Sequence, residues 1–447
     1  MLDNRVALIV VNTLLIFFLV SRNQDEVYEY GDYAYQGVRA SVDAAYDAAA
    51  VAVSSTCPEM PKELAAATTS TTSVLDPNPP DLHKTATVMA MATGYGLVDY
   101  QRYVGSLRKT GYEGNIILIV APTIEKESED YLTSKGVIMH KVKYIDCSHP
   151  VSEKLAKEKD NLDSHAKEIV TCVDPYPKLK NRWARFPLLR DLLMSCGGDP
   201  NPEIKCGGPV LISDMRDTMF QRNPFGPEAP RVYGLQVFEE HYTIRTTHWL
   251  ANWPIKACKD VQYDEPMLCS GTTIGTRQAM IDYLNIFHDE MNAWMEDPKC
   301  CCFETSADDQ SMHNYIYYAG KLNGVTGGVQ AVKNRDGLVH TVGAVGSLIL
   351  NTHREQKRIL REAANDPNRP PRDSHMDPFD LSNEEDKDKS KNWLGLQYGM
   401  TDREGYFVDF DGQRSFVVHQ YDRFGHEFDH WMYRNNVYGE SPSNSRS

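Results

Sequence analysis

The chain has 447 residues, of which 41% are apolar, and its formal net charge is −15 at pH 7. This length accommodates one catalytic domain of roughly 250 to 350 residues with extensions, because single domains seldom exceed about 300 residues. The acidic excess argues against a nucleic-acid-binding surface, which needs clustered Lys and Arg to displace counterions. An anionic substrate would therefore require a local basic or metal site.

The membrane candidate of the sequence is an apolar run at residues 6–20, flanked by Arg5 and Arg22. It is shorter than the roughly 20 residues of a full span, which suits a signal-peptide core or an interfacial segment, although polar edges extend it. No small-residue cleavage site follows directly. We therefore expect residues 1–22 to form a short cytoplasmic end and a retained signal anchor, with the rest in the lumen. A cleaved signal and a buried N-terminal helix are the alternatives.

The cysteines bear on the same question of compartment. There are ten of them, and none forms a Cys-x-x-Cys pair, so the usual spacing of a zinc site is absent. An even number behind an apolar leader favours several luminal disulfides, whose connectivity the sequence does not reveal. The alternative is that some are ordinary buried thiols.

A stem is predicted between the anchor and the first strand. Residues 23–84 are rich in Ala, Ser, Thr, Asp and Pro, a composition that cannot bury a core. Small and apolar residues then alternate over 85–93 as in a strand, and Gly94-Tyr95-Gly96 ends the pattern. A nucleotide could lie against Tyr95 at this point, with an ordinary turn as the alternative.

The elements after this turn alternate between helix and strand. They are a helix from Leu97, a strand at 115–121, a helix at 126–135 and a strand at 137–142. This alternation predicts an α/β fold with a parallel sheet flanked by helices. The right-handed crossover rule then places the strand ends at one edge of the sheet.

A short apolar strand near the middle of the chain ends in two carboxylates. Val210-Leu211-Ile212 is bounded by Gly and Pro, as in the centre of a covered sheet, and Asp214 and Asp217 follow it. Ligands of open α/β sheets bind at the carboxyl ends of the strands, where clustered carboxylates can hold a hard cation against a phosphate. Upstream, Arg182 and Arg185 lie on an amphipathic segment. Either one could reach a diphosphate, or both could belong to a solvated or salt-bridged face.

Three later segments carry further candidate residues. Gly271 lies in a strand at 267–276 whose glycines would let the backbone approach a ligand. Asp308 and Asp309 open a helix, where they are either functional or simple caps. His419 ends a late strand and is either a metal ligand or a core histidine. Between the helix that begins at Asp308 and the strand that ends at His419, residues 352–391 are predicted to form a polar insertion.

Taken together, these pieces resemble the nucleotide-sugar glycosyltransferases of the GT-A type over about residues 85–434. The resemblance rests on their order: the Rossmann-like half, the stretch 214–225, the glycine-containing strand and Asp308-Asp309-Gln310. In those families the central strand carries Asp-x-Asp shortly before an aromatic residue and Pro-Phe, and this motif binds Mn²⁺ on the donor diphosphate. Counted back from Pro224-Phe225, Asp217 matches the second aspartate, whereas Met215 stands where the first is expected.

This departure ranks the candidate ligands. Residues three apart in a strand lie on opposite faces, so Asp214 and Asp217 can bind one ion only if the strand has already turned. We therefore rank Asp217 above Asp214. The resemblance makes His419 the third ligand, and a mixed oxygen and nitrogen shell suits Mn²⁺, with Mg²⁺ as the alternative. The ion would neutralise the leaving nucleoside diphosphate.

The resemblance also places Asp308-Asp309-Gln310 beside the acceptor, in the sugar pocket. In an inverting enzyme one carboxylate would be the general base, and in a retaining enzyme it would position donor and acceptor. The order of the motifs favours retention. Nucleotide contacts would come from the strand ends and the basic segment, at Tyr95, Arg182, Arg185, Asp214, Gly271 and Gln310.

The sequence hypothesis is thus a single-pass type II Golgi enzyme with a luminal GT-A domain at residues 85–434 and a flexible tail at 435–447. It would use a nucleotide-diphosphate sugar, in particular a UDP-sugar, and a glycan or glycoprotein acceptor. Two competitors stay open. One is a metal-dependent nucleotidyltransferase or hydrolase, and the other is a catalytically inactive GT-A-like binding or scaffold protein, which the Asp-x-x-Asp departure makes plausible.

Overall fold

The computed structural model describes residues 82–146, 171–241, 244–248, 252–300, 309–343 and 400–421, the last range without 403 and 405. The predicted anchor, nearly all of the stem, the polar insertion and the tail lie outside these residues. In the part that is described, no helix is both long and apolar enough to cross a membrane.

The strands of the described residues build three sheets. They are β1 Thr87–Ala92, β2 Asn115–Val120, β3 Val137–Lys141, β4 Tyr144–Asp146, β5 Thr171–Val173, β6 Tyr176–Lys180, β7 Val210–Ser213, β8 Thr218–Phe220, β9 Leu235–Glu239, β10 Leu268–Gly275, β11 Val329–Val332, β12 Val339–Thr341 and β13 Val417–His419.

The helices of the described residues alternate with these strands. They are α1 Leu82–Thr85, α2 (Leu97–Tyr100, a π-helical Gln101–Gly105 and Ser106–Lys109), α3 Lys126–Ser134, α4 Asn181–Ser195, α5 Pro202–Lys205, α6 Asn252–Lys259, α7 Arg277–Glu296 and α8 Asp309–Tyr318. Three short 3₁₀ helices are Thr246–His248, Pro298–Cys300 and Lys321–Gly324.

The large sheet has seven strands in the order β11-β9-β10-β7-β1-β2-β3. Strands β7, β1, β2 and β3 are parallel, as the alternation predicts. Strand β10 runs antiparallel to both of its neighbours, and β9 and β11 are again parallel. The fold is therefore α/β with a mixed sheet, and the strand that carries the candidate aspartates, β7, is its central strand.

Both faces of this sheet are covered, because its strands are apolar on both sides. Along β2, Ile116 and Leu118 belong to a core cluster with residues of α2 and α3, such as Leu107 and Leu132. Ile117 and Ile119, which point to the other face, belong to a second cluster formed with α4, α7 and α8. Continuous apolar strands of this kind are typical of a sheet sandwiched between helices. The doubly covered sheet holds the strand ends in fixed positions.

Two elements around this core help to position the site. Strand β9 begins at Leu235, because Gly234 adopts a positive φ of 55° immediately before it. Helix α4 is largely buried, although Arg182 near its start is exposed. The prediction of disulfides is confirmed for one pair, Cys196–Cys206, which joins the end of α4 to the segment leading into β7.

A small three-stranded sheet brings distant parts of the chain together. Its order is β12-β13-β8, and β13 runs antiparallel to β8 with His419 opposite Thr218. Because Asp217 precedes Thr218 directly, this register places His419 beside the candidate aspartates. These strands have only three residues each, which is too short for sequence periodicity to predict them.

Candidate metal centre

A cleft of about 400 Å³ opens at the carboxyl ends of β1 and β7. It is lined by six of the residues that the sequence singles out, namely Tyr95, Arg182, Arg185, Asp214, Asp217 and Asp309. The remaining lining residues are Met91, Thr93, Gly94, Asn181, Met215 and Arg216. The strand-end position that the sequence predicts for a ligand is therefore a cavity rich in charged side chains.

The two aspartates reach the same point because the chain turns between them. Strand β7 ends at Ser213, residues 214–217 form a bend and turn, and β8 begins at Thr218. The turn removes the alternation of faces that would separate residues three apart in a strand. The structural condition for a shared site of Asp214 and Asp217 is thereby met.

His419 completes a cluster with these two carboxylates. Its Nε2 atom lies 3.5 Å from Oδ1 of Asp217 and 4.0 Å from Oδ2 of Asp214. One potential ligand atom of each residue lies within 4.8 Å of the other two. The three residues that the sequence nominates as metal ligands do converge.

The donor set fits a divalent cation. Nε2 of His419 is buried and has no hydrogen-bond partner, although it faces two carboxylates. A buried polar atom without a partner requires an explanation, and a cation shared with both aspartates would supply one. Burial lowers the pKa of His419, but the neighbouring Cys269 and Asp217 outweigh it and raise the pKa well above its ordinary value. Without a cation the site therefore favours a protonated His419, and a cation would bind in place of that proton. Two carboxylate oxygens with one imidazole nitrogen suit Mn²⁺.

A bulge in β10 shapes the floor of this site. The register of β10 against β9 shifts between Cys269 and Thr273, and bulges often re-aim side chains next to active sites. Sγ of Cys269 lies 3.4 Å from Nδ1 of His419. Ser270 donates to Oδ1 of Asp309 at 3.3 Å, and the carbonyl of Gly271 accepts from the backbone N–H of Asp214 at 2.8 Å. Consecutive residues of the bulge therefore contact three parts of the site.

Arg185 joins the metal centre to the far wall of the cleft. Its guanidinium forms ion pairs with Oδ1 of Asp214 and with Oδ2 of Asp309. The arginine and Asp309 are both largely buried, with side-chain exposures of 15% and 12%. Asp214 thus offers one oxygen to Arg185 and the other to the His419 side. The sequence leaves open whether Arg185 contacts a diphosphate or lies on a salt-bridged face, and in the structure it is paired with two aspartates.

The remaining candidates at the α8 end are divided. Asp308 lies outside the described residues. Asp309 lines the cleft, and burial raises the pKa of its carboxyl group although Arg185 opposes this shift. Gln310 does not line this cleft; its amide donates to Oε2 of Glu240 at 2.6 Å. The structure therefore brings Asp309 to the site and turns its neighbour towards a different carboxylate.

Some residues around the site escape sequence reasoning. Glu240 is buried just after β9 and also accepts from Gln420, at 3.1 Å. No sequence pattern marks Cys269 as a site residue, apart from its position in the glycine-containing strand. Arg216 has the clearest missed signal, because it stands between the two candidate aspartates in the sequence and lines the cleft.

Replacing Gly271 with Ala is expected to disrupt the metal centre. A Cβ atom at this position would lie 2.5 Å from Nε2 of His419 and 2.8 Å from Oδ2 of Asp214, closer than van der Waals contact allows. We expect Mn²⁺ affinity, measured by electron paramagnetic resonance titration, to fall by at least about tenfold, as for other disturbances of ligand orientation. Gly324→Ala, which meets no atom within 4 Å, is the control. Unchanged affinity in Gly271→Ala would mean that the ion, if bound, lies elsewhere.

No protein-family model matches the sequence of this chain, and no curated protein matches it either.

Proposed function

We propose that the chain is a metal-dependent glycosyltransferase of the GT-A type, which transfers a sugar from a nucleotide-diphosphate donor, in particular a UDP-sugar, to a glycan or glycoprotein acceptor. The observation that carries this proposal is the convergence of the buried His419 with Asp214 and Asp217, which line a strand-end cleft together with Tyr95 and Arg182. The α/β fold with its mixed sheet supports a GT-A assignment. The N-terminal apolar run supports a luminal Golgi enzyme held by a signal anchor.

The charge of the cleft supports a diphosphate ligand. Three aspartates and three arginines line it, so their formal charges cancel. A bound divalent cation would leave two positive charges, which complement a diphosphate. A site for a neutral sugar alone would have no use for this excess. The donor is thus expected to bind with its diphosphate towards Asp217 and His419.

Each residue then has a defined task. Asp217, His419 and Asp214 would hold the cation, which would act as a Lewis acid on the leaving diphosphate. Arg182 would contact phosphate oxygens, for which a planar guanidinium is suited. Tyr95, in the loop after β1, would lie against the nucleobase.

Asp309 is better suited to positioning than to proton abstraction. Its carboxylate already accepts hydrogen bonds from Arg185 and Ser270. A general base needs a free oxygen within reach of the acceptor hydroxyl, and this engagement reduces that availability. The arrangement supports the retaining alternative, in which Asp309 orients Arg185 and the donor sugar.

The test is product analysis with a panel of UDP-sugars, Mn²⁺ and glycan acceptors. We expect UDP release that requires both acceptor and Mn²⁺, a product whose anomeric configuration by NMR matches the donor, and loss of all turnover in Asp217→Ala. Release of inorganic phosphate would instead indicate a hydrolase. If Mn²⁺ fails to increase UDP affinity in calorimetry, the chain is a GT-A-like binding protein and the catalytic proposal is wrong.

A further inference from the structure

The sulfur of Cys269 contacts Nδ1 of His419, the ring nitrogen that does not face the two aspartates. Sγ is 3.4 Å from Nδ1 of His419, whereas Nε2 of the same ring faces Asp217 at 3.5 Å. Both side chains are buried, with residue exposures of 2% and 1%. The ring is therefore held between a sulfur and a carboxylate. Its two nitrogens have separate surroundings, and only one of them faces the candidate ion.

The sulfur lies within hydrogen-bond distance of two nitrogen atoms. Nδ1 of His419 is 3.4 Å away, and the side-chain amide of Gln420 donates to Sγ at 3.9 Å. Sulfur is a weak acceptor of such hydrogen bonds. The bulge in β10 lies at this contact, and Gly271, which has no side chain, lets the imidazole of His419 pack directly against the strand.

We propose that Cys269 is a positioning residue of the metal centre: its sulfur accepts the Nδ1–H of His419 and so holds the ring with Nε2 directed at Asp214 and Asp217, where a cation would take the place of the Nε2 proton. An imidazole can ligate a cation through Nε2 only when that nitrogen carries no proton, and the hydrogen bond made by the other nitrogen sets this tautomer. The inference rests on the proposed metal-dependent function, because it assigns a role at the same site. It adds a residue outside the three ligands.

The first test measures the hydrogen bond without any metal. In metal-free protein labelled with ¹⁵N-histidine, one of the 14 histidines is assigned to His419 by its loss in His419→Gln. We expect Nδ1 of His419 to carry a hydrogen-bonded proton, and its nitrogen shift to change in Cys269→Ala. Cys258→Ala, which removes another buried free thiol, is the matched control and should leave the signal in place. A signal unaltered in Cys269→Ala would overturn the inference.

The second test measures metal affinity. Losing the outer partner of a metal-ligating histidine typically costs 10- to 100-fold in affinity, so Mn²⁺ should bind Cys269→Ala about 10- to 100-fold more weakly. Cys269→Ser retains an acceptor and should recover part of this loss, and excess Mn²⁺ should restore turnover in Cys269→Ala. Wild-type affinity in Cys269→Ala, or an equal loss in Cys258→Ala, would contradict the proposed role.

The two tests separate this inference from the proposed function. If the unaltered chain does not bind Mn²⁺ while the NMR signal responds to Cys269→Ala, the metal-dependent function is wrong and only the contact survives. If the unaltered chain binds Mn²⁺ and transfers sugar while neither readout responds, the function stands and the role of Cys269 is wrong. Thermal unfolding of both cysteine variants verifies that each is folded.

Discussion

Asp217→Ala is expected to abolish Mn²⁺ binding and, with it, sugar transfer. Asp217 is the carboxylate nearest to Nε2 of His419, at 3.5 Å, and its side chain is only 8% exposed. A buried carboxylate is poorly screened by solvent, so its removal takes away much of the negative charge at the site. The affinity should fall by at least about 100-fold, the upper end of the loss caused by removing only an outer partner of a ligand.

The corresponding change at Asp214 should be milder for the metal. Its side chain is 37% exposed, it lies 4.0 Å from Nε2 of His419, and one of its oxygens is held by Arg185. We expect Asp214→Ala to weaken Mn²⁺ binding by about tenfold and to leave residual transfer. The measurement is a Mn²⁺ titration followed by electron paramagnetic resonance, with Asp282→Ala on α7 as the control. Equal losses in Asp214→Ala and Asp217→Ala would refute the ranking.

The ranking illustrates what the sequence predicts reliably. The run Val210-Leu211-Ile212 has neighbours that end it on both sides, so a buried strand and its polar carboxyl end follow from local pattern. The spacing of Asp214 and Asp217 then requires a turn, and the structure has one between β7 and β8. Both the strand and the turn depend on residues that are close together in the chain, so local sequence patterns are sufficient to predict them.

His419, the third candidate ligand, is a different case. His419 stands about 200 residues after Asp217, and the resemblance to GT-A enzymes, not its own neighbourhood, nominated it. In the structure the contact depends on the pairing of β13 with β8, two three-residue strands with no detectable periodicity. The partner of so short a strand is decided by tertiary packing, which sequence patterns do not contain. The same reason hides the contact between Cys269 and His419.

Arg185 shows how burial changes the meaning of a basic residue. The sequence alone does not reveal whether an arginine on an amphipathic helix faces solvent, binds a phosphate or pairs with a carboxylate. Helix α4 packs into the core, and this packing places Arg185 within ion-pair distance of Asp214 and Asp309. A buried guanidinium must be paired, because an isolated charge is too costly to desolvate. The choice of partners follows from the packing of the helix.

Arg185→Met is therefore expected to cause the largest loss of stability among single changes at the site. It would leave Asp309 buried without its cation and facing Asp214 across the cleft. Breaking a buried ion pair costs about 3 to 5 kcal/mol, and because Asp214 is more than a third exposed and partly screened, we expect about 3 kcal/mol. The measurement is the free energy of unfolding from denaturant titration at neutral pH. Lys141→Met, which breaks a solvent-exposed pair with Glu129, should cost about 1 kcal/mol or less.

The pH dependence and a second substitution identify the cause of this loss. Burial already raises the pKa of Asp309 above its ordinary value while Arg185 opposes the shift, so removing the arginine raises that pKa further. When the pKa of a carboxyl group is higher in the folded than in the unfolded protein, the group stabilises the fold at pH values below its unfolded pKa. This contribution to the free energy of unfolding is lost as the pH rises through the folded pKa. The cost of Arg185→Met should thus be greatest at neutral pH and should shrink as the pH falls through the raised pKa of Asp309.

Adding Asp309→Asn to Arg185→Met should recover most of the lost stability at neutral pH, because the uncompensated charge is gone. A cost that is independent of pH and additive with Asp309→Asn would show that Arg185 stabilises the fold through its aliphatic contacts and not through the ion pairs.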